Sequence, residues 1–383
     1  MPKRVIILGS TGSIGCSALD VAQHLGDECE VVGLAARSNW QPLQQQIQRF
    51  KPQVAVLSDQ SAADQLSNQP GNNGAAVWAG EDAMVRMVQE LDADFVLASI
   101  VGVAGLASTL AAVERGLTVG LANKESLVVA GSLMVDAARR SGAKLIPIDS
   151  EHSAIYQSLQ SGRHEEIERL LLTGSGGPFR TWTTAEIAEA TLEDALKHPT
   201  WNMGPKITVD SATLMNKALE IIEAKWLFDV PPDRIEVVIH PESIIHSMVA
   251  FCDGSIIAQM GQPDMRTPIQ YALTHPHRYF RGGERLDFSA LGKMHFEPPD
   301  EKRFPALRLG HQVAARGGTA GAAFNAANEA ANEQFRAGKI RFARIAELVE
   351  DVLNRHAFTA HPDLKTLTAV DAWARQEVLQ CSK

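Results

Sequence analysis

Two carboxylates stand one residue apart in Asp149-Ser150-Glu151, directly after the apolar run Leu145-Ile146-Pro147-Ile148. Read as the end of a strand, this spacing turns both acids to one face, because successive strand residues alternate. Acids held together repel, and a divalent cation relieves the repulsion. With oxygen ligands and no Cys/His cluster, Mg²⁺ or Mn²⁺ suits such a pair better than Zn²⁺; solvated loop acids are the plain alternative. A second polar group lies at Asn216, Lys217 and Glu220. A helix capped near Asp210 or Ser211 would align Met215, Leu219, Ile222 and Trp226 as an apolar stripe, with the amide, ammonium and carboxylate opposite. Ser211 and the helix N-terminus would then favour an anion. A solvated amphipathic face is the competing reading.

A third feature is Gly9-Ser10-Thr11-Gly12-Ser13-Ile14-Gly15, placed between a first strand and a helix. Glycines at this spacing permit a tight turn and close backbone approach, so that N–H groups face a pyrophosphate. NAD sites place an acid at the end of the second strand; here Ala36-Arg37-Ser38-Asn39 has none. Arginine and serine suit a 2′-phosphate, which favours NADP. Asn123-Lys124-Glu125-Ser126 follows another strand on the expected cofactor edge, and His240-Pro241-Glu242-Ser243 through His246 follows a strand further on. Each is also compatible with routine capping or a satisfied core histidine. The four cysteines and the His275/His277 pair suggest no chemistry.

The elements that must position these residues fall into segments. Val5–Leu8, Glu30–Ala35, Val54–Leu57, Phe95–Ser99, Thr118–Ala122 and Lys144–Ile148 read as strands, with helical periodicity between them, as in Ile14–Leu25, Trp40–Phe50 and Val103–Arg115. Alternation of this kind predicts an α/β, doubly wound, Rossmann-like parallel sheet over residues 1–149, the NADPH-binding domain. Residues 150–275 mix strands such as Glu236–Ile239 and Ile256–Met260 with helices and Gly- and Pro-rich loops, which predicts an α+β domain with mobile loops. A connector over 276–303 leads to a C-terminal helical domain over 304–383, with helices at Ala306–Arg316, Ala320–Ala337 and Ile345–Arg355.

Composition narrows the partners. The chain has 383 residues, 45% hydrophobic and 21% charged, with a formal net charge of −9. That balance argues against a general nucleic-acid binder, which needs a basic footprint, but leaves room for a small anion in a local basic pocket. No apolar run reaches the ~20 residues of a membrane helix. The cysteines form no C-x-x-C pair, and the first strand begins at Val5 with no room for a targeting peptide. The expected setting is cytoplasmic and reducing.

Taken together, these segments resemble the 1-deoxy-D-xylulose 5-phosphate reductoisomerase family. The likeness is carried by Gly9–Gly15, Ala122–Ser126, Asp149–Ser153, Gly174–Arg180, His198–Trp201, Val209–Thr213, Met215–Glu220, His240–His246 and Asn325–Glu329, in order along nearly the whole chain. The resemblance implies isomerisation of a phosphorylated sugar substrate, then NADPH reduction to 2-C-methyl-D-erythritol 4-phosphate. It implies that Asp149, Glu151 and Glu220 hold Mg²⁺, Mn²⁺ or Co²⁺, and that Lys124 and Ser150 contact the reacting part of the substrate. Ser175, His198, Ser211, Asn216 and Lys217 would surround the phosphate and hydroxyls, and Trp201 and Met203 would belong to a flexible lid near 198–206 of a catalytic domain over 150–275. Thr11, Gly12, Ser13, Ile14, Ala36, Arg37, Ser38, Asn123, Glu125 and Gly204 would contact the cofactor, and a homodimer is implied. His246 matches a family histidine without an assigned role. Three positions depart from the family's common residues: Ala36 and Ala218 stand where glycine is usual, and Pro205 where a basic residue is. A different NADP-linked dehydrogenase with structural carboxylates, or a nucleotide sensor without catalysis, are the competing classes.

Overall fold

The computed structural model describes residues 1–71, 74–201, 203–280 and 282–381. Asn202 of the expected lid and Arg281 of the expected connector therefore lie outside the described residues. Near-continuous apolar runs build a seven-stranded parallel sheet from β1 (Lys3–Leu8), β2 (Cys29–Ala36), β3 (Val54–Leu57), β4 (Ala76–Ala79), β5 (Phe95–Ala98), β6 (Thr118–Leu121) and β7 (Lys144–Pro147). Strands such as Val54-Ala-Val-Leu57 are buried along their full length, as a sheet covered by helices on both faces requires. The order is β4-β3-β2-β1-β5-β6-β7. The chain winds outward from β1 in one direction and then, from β5, in the other. That reversal leaves a switch point between β1 and β5, outside their carboxyl ends. β4 is not foreseen from the sequence; four residues with no alternation give little signal.

Contacts divide the chain into two compact units: Met1–Ser126, Met134–Ser153 and Asp264–Gly283, and the remainder. The first unit contains the parallel sheet and also the helix Arg266–Thr274, which falls within the expected segment 150–275. Lys3 on β1 explains part of its placement, because its Nζ donates to the Leu273 carbonyl at 2.5 Å, at the end of that helix.

The second unit holds a mixed four-stranded sheet, β8 (Ile167–Gly174), β9 (Ile235–Ile239), β10 (Ile245–Phe251) and β11 (Ile256–Met260), in the order β11-β10-β8-β9. β8 runs parallel to β9 and antiparallel to β10, and β10 is antiparallel to β11. Against it lie the central helices and the C-terminal helical segment, Ala306–Arg316, Ala320–Arg336, Arg344–Arg355 and Leu364–Cys381. One apolar cluster runs from Ile155 through Leu170, Phe179 and Leu219 to Phe324, Phe335 and Val378, so the central and helical segments share a core. The expected connector is more than a linker: Glu297 exchanges both backbone hydrogen bonds with Ile239, at 2.9 Å each, and so continues the pairing beyond β9.

Two expectations about local structure need correction. β7 ends at Pro147 and a helix spans Ser150–Ser158. Asp149 and Glu151 are thus a turn residue and a first-turn helical residue, and strand alternation does not relate them. The proposed single helix from Asp210 is two helices, Pro205–Ala212 and Met215–Phe228, broken at Leu214, whose φ of 58° is left-handed. Asp210 is accordingly an inner residue of the first helix and not a cap.

Candidate active site

In the first unit, the turns after β1, β2, β6 and β7 all leave the carboxyl edge of the sheet, which is where such sheets bind ligands. The glycine turn is anchored from behind, since the N–H groups of Gly9 and Ser10 both donate to the Ala35 carbonyl on β2, at 2.9 and 2.8 Å. Gly15 admits no substitute, because a Cβ there would lie 2.3 Å from the Gly9 carbonyl oxygen. The helix Ser13–Leu25 therefore starts hard against the turn, with its first N–H groups directed at the edge. Thr11 and Ile14 are partly buried and Gly12 and Ser13 exposed there. Beside them, Ala36 is buried at the end of β2, while Arg37 and Ser38 are exposed beyond it.

After β6 the polar residues are sunk in the protein. Asn123 caps the helix Lys124–Ser141, accepting from the Ser126 N–H at 3.0 Å, and its amide donates to the Gly102 carbonyl at 3.0 Å and to Glu125 Oε2 at 3.1 Å. Lys124, in the first turn, forms a 2.6 Å ion pair with Asp149, and both side chains are about nine-tenths buried. Asp149 also accepts from the Glu151 N–H at 3.3 Å, and the Ser150 hydroxyl donates to Glu151 Oε2 at 2.5 Å. His152, which the sequence alone does not single out, is fully buried with Nδ1 3.8 Å from Asp149. Its signal was present: a histidine on the inward side of a helix that begins beside two acids.

In the second unit, Asn216, Lys217 and Glu220 share one turn of the helix Met215–Phe228. Glu220 accepts from the Asn216 amide at 2.6 Å and pairs with the Lys217 ammonium. Neither member of that ion pair faces water: Lys217 is 4% exposed and Glu220 0%. The competing reading of a solvated polar face therefore does not hold. Core packs around the whole helix, and its charges survive by pairing, since an isolated buried charge would be strongly unfavourable. Gly174 at the end of β8 makes room, because a Cβ there would meet the Lys217 stem at 2.9 Å.

His198 and Ser175 meet at 3.0 Å. The N–H groups of Thr200 and Trp201 both donate to His198 Nδ1, at 3.1 and 2.9 Å. A nitrogen that accepts two hydrogen bonds carries no proton, so the ring is the neutral tautomer with hydrogen on Nε2. Nε2–H then donates to Ser175 Oγ, which also accepts from the Gly177 N–H at 3.2 Å. With its acceptor capacity used, the serine hydroxyl keeps its own hydrogen as a donor. Trp201 and Met203 are partly buried, Gly204 is exposed, and the Trp201 ring lies 6.5 Å from that of His246. Ser211 is half-buried in the last turn of its helix.

A glycine turn at the switch point of a parallel sheet, with buried lysine–carboxylate pairs and an anion-ready serine elsewhere in the chain, defines a dinucleotide-dependent enzyme acting on a small anionic substrate. Three family models match in succession: 1-deoxy-D-xylulose 5-phosphate reductoisomerase over residues 5–131, its C-terminal domain over 145–228, and a further C-terminal domain over 260–377. The chain is 50% identical over 381 residues to the reductoisomerase of Pseudomonas aeruginosa, covering 98% of this chain and 96% of that one. To that of Geotalea uraniireducens it is 46% identical over 375 residues, covering 98% and 97%. Among solved structures, the Zymomonas mobilis enzyme in complex with NADPH superposes with a TM-score of 0.94 at 44% identity over the full length of both chains. A reductoisomerase in complex with NADPH, fosmidomycin and magnesium gives 0.94 at 37% identity, covering 99% of this chain and 98% of that one. The chain belongs to the 1-deoxy-D-xylulose 5-phosphate reductoisomerase family.

Proposed function

We propose that this chain converts 1-deoxy-D-xylulose 5-phosphate to 2-C-methyl-D-erythritol 4-phosphate, using NADPH and a divalent metal ion. The observation that carries the reading is the family match over nearly the whole chain, within which Asp149, Glu151 and Glu220 all fall in one matched segment. Three carboxylates offer hard oxygen donors, the set that suits Mg²⁺ or Mn²⁺, and these three are the residues that would hold the ion. When bound, the cation supplies Lewis-acid polarisation of a substrate carbonyl.

The chain's own residues supply the rest. Lys124, fixed by Asp149, keeps an ammonium at the cofactor edge, where Ser150 and Glu151 also stand, and would orient the reacting end of the substrate. Ser175, with its hydroxyl freed for donation by His198, would bind the phosphate together with Ser211, Asn216 and Lys217. Thr11, Gly12, Ser13 and Ile14 would face the pyrophosphate of NADPH, and Ala36, Arg37 and Ser38 its 2′-phosphate. Asn123, Glu125 and Gly204 would complete the cofactor contacts. Trp201 and Met203, in a lid near 198–206, would exclude water from the hydride. The functional division into segments 1–149, 150–275, 276–303 and 304–383 is part of the same reading.

The test is NADPH oxidation driven by 1-deoxy-D-xylulose 5-phosphate. Turnover should vanish after exhaustive chelation and return with added Mg²⁺ or Mn²⁺. No turnover with metal present would sink the assignment, and undiminished turnover in its absence would sink the metal role.

A homodimer is part of the proposal. β11 is an edge strand of partly exposed apolar residues, with Ile256 at 52% exposure, and an unpaired edge of this kind is a template for a second copy. Light scattering should give twice the 41.5 kDa chain mass. A monomer at micromolar concentration would refute this part. A cytoplasmic setting fits four unpaired cysteines, two of them exposed, and among the described residues no helix is long and apolar enough to cross a membrane.

A further inference from the structure

The helix Trp40–Phe50 presents positions 43, 46, 47 and 50 on one face, by the spacing that brings i, i+3, i+4 and i+7 together. Leu43 and Ile47 are fully buried on it and Phe50 is partly buried. Gln46 is the polar exception, whereas Gln41, Gln45 and Gln48 point to water. A glutamine on a core-facing stripe needs partners, and this one finds them in a single residue. The Ser10 hydroxyl donates to Gln46 Oε1 at 2.7 Å, and Gln46 Nε2 donates to the Ser10 carbonyl at 2.9 Å. Ser10 is fully buried.

The consequence lies in the next peptide bond. In a planar trans peptide the C=O and N–H point in opposite directions. Drawing the Ser10 carbonyl toward the helix therefore aims the Thr11 N–H away from it. The N–H groups of Gly9 and Ser10 are spent on Ala35, and that of Gly12 on Gly9. Among the described residues the Thr11 N–H has no hydrogen-bond partner. Of the four consecutive donors in the turn, it is the one left for a ligand.

We propose that Gln46 is a positioning residue for the dinucleotide: by gripping both ends of Ser10, it holds the Thr11 N–H in the direction of a cofactor phosphate oxygen. The proposal rests on the NADPH reading above. It also explains why a polar side chain occupies a place that packing alone would give to leucine.

The test uses the full-length protein and NADPH titrated by fluorescence, with adenosine 2′-phosphate as a competitor that lacks the pyrophosphate. Gln46→Leu fits the apolar stripe but strands the buried Ser10 hydroxyl, so its Tm should fall and recover in part when Ser10→Ala is added. Its Kd for NADPH should rise about tenfold, the loss of one hydrogen bond to a charged group, with the inhibition constant of adenosine 2′-phosphate unchanged. Ser10→Ala, which loses only the hydroxyl half of the grip, should weaken NADPH less, and should add nothing in the Gln46→Leu background. Parental NADPH affinity in Gln46→Leu overturns the proposal, as does equal weakening of both ligands, which is the signature of general loosening. Failure of the parent protein to bind NADPH is a separate outcome, and it overturns the cofactor reading itself.

Discussion

At the scale of single residues, burial decides what the charges do. Glu220 and Lys217 lie in the core and pair with one another, so a change to either breaks a buried ion pair, at a cost of up to about 3–5 kcal/mol. Glu220→Gln should therefore lose stability as well as most of kcat, at least about a hundredfold if the carboxylate holds the metal. The two effects separate in the double variant Lys217→Met with Glu220→Gln. Urea denaturation should show it recovering much of the lost stability, while turnover stays abolished. Recovery of activity alongside stability would mean that Glu220 is structural. The residue types of this cluster were readable in the sequence, but their environment was not. A helical wheel sorts apolar from polar faces and cannot show that core surrounds the helix on every side. His198 illustrates the same limit, since its tautomer is fixed by two backbone N–H groups from its own loop.

At the scale of elements, the break at Leu214 sets the site's layout by ending the Ser211 helix and starting the one that bears Asn216, Lys217 and Glu220. A non-glycine residue in the left-handed region costs about 1–3 kcal/mol. Burial of the leucine side chain outweighs it, because emptying such a site costs about 2–5 kcal/mol. Leu214→Gly should thus be net destabilising despite its relaxed backbone, with a lower urea midpoint at unchanged m. An increase in stability would show that strain dominates at this position. The parallel sheet was legible because its strands are apolar runs punctuated by turns. β8 and β10 were not, as Ile167-Glu-Arg-Leu-Leu-Leu172 has the composition of a helix and becomes a strand only through its neighbours on either side. The C-terminal helix Leu364–Cys381 was missed as well; its buried residues, Leu367, Asp371, Ala374 and Val378, include an acid that pairs with Arg375. Asp149 and Glu151 stand out in the sequence by residue type, but the strand geometry used to relate them does not hold, since a helix begins where an extended strand is expected.

At the scale of the whole molecule, one buried histidine links stability to pH. The ring of His356 is 7% exposed and lies between Phe358 and Trp373, and among the described residues neither of its nitrogens has a hydrogen-bond partner. Burial, with a further contribution from the Arg316 charge, lowers its pKa below 6.5. In the unfolded chain the same ring takes up a proton near pH 6.5. Its penalty is therefore absent above that pH and grows as pH falls toward the depressed folded value, because only the unfolded state binds the proton. His356→Phe should flatten the fall in Tm between pH 7 and about pH 5, and an unchanged slope in a calorimetric series would exclude the histidine as its source. The division into two units has a consequence of another kind, for the making of the protein. The unit that holds the parallel sheet takes its last stretch from Asp264–Gly283 of a 383-residue chain. A ribosome must deliver most of the protein before that unit can close, so the parallel sheet spends much of translation without the helix that receives Lys3. Early chaperone engagement of the nascent chain is the expected price of that late delivery.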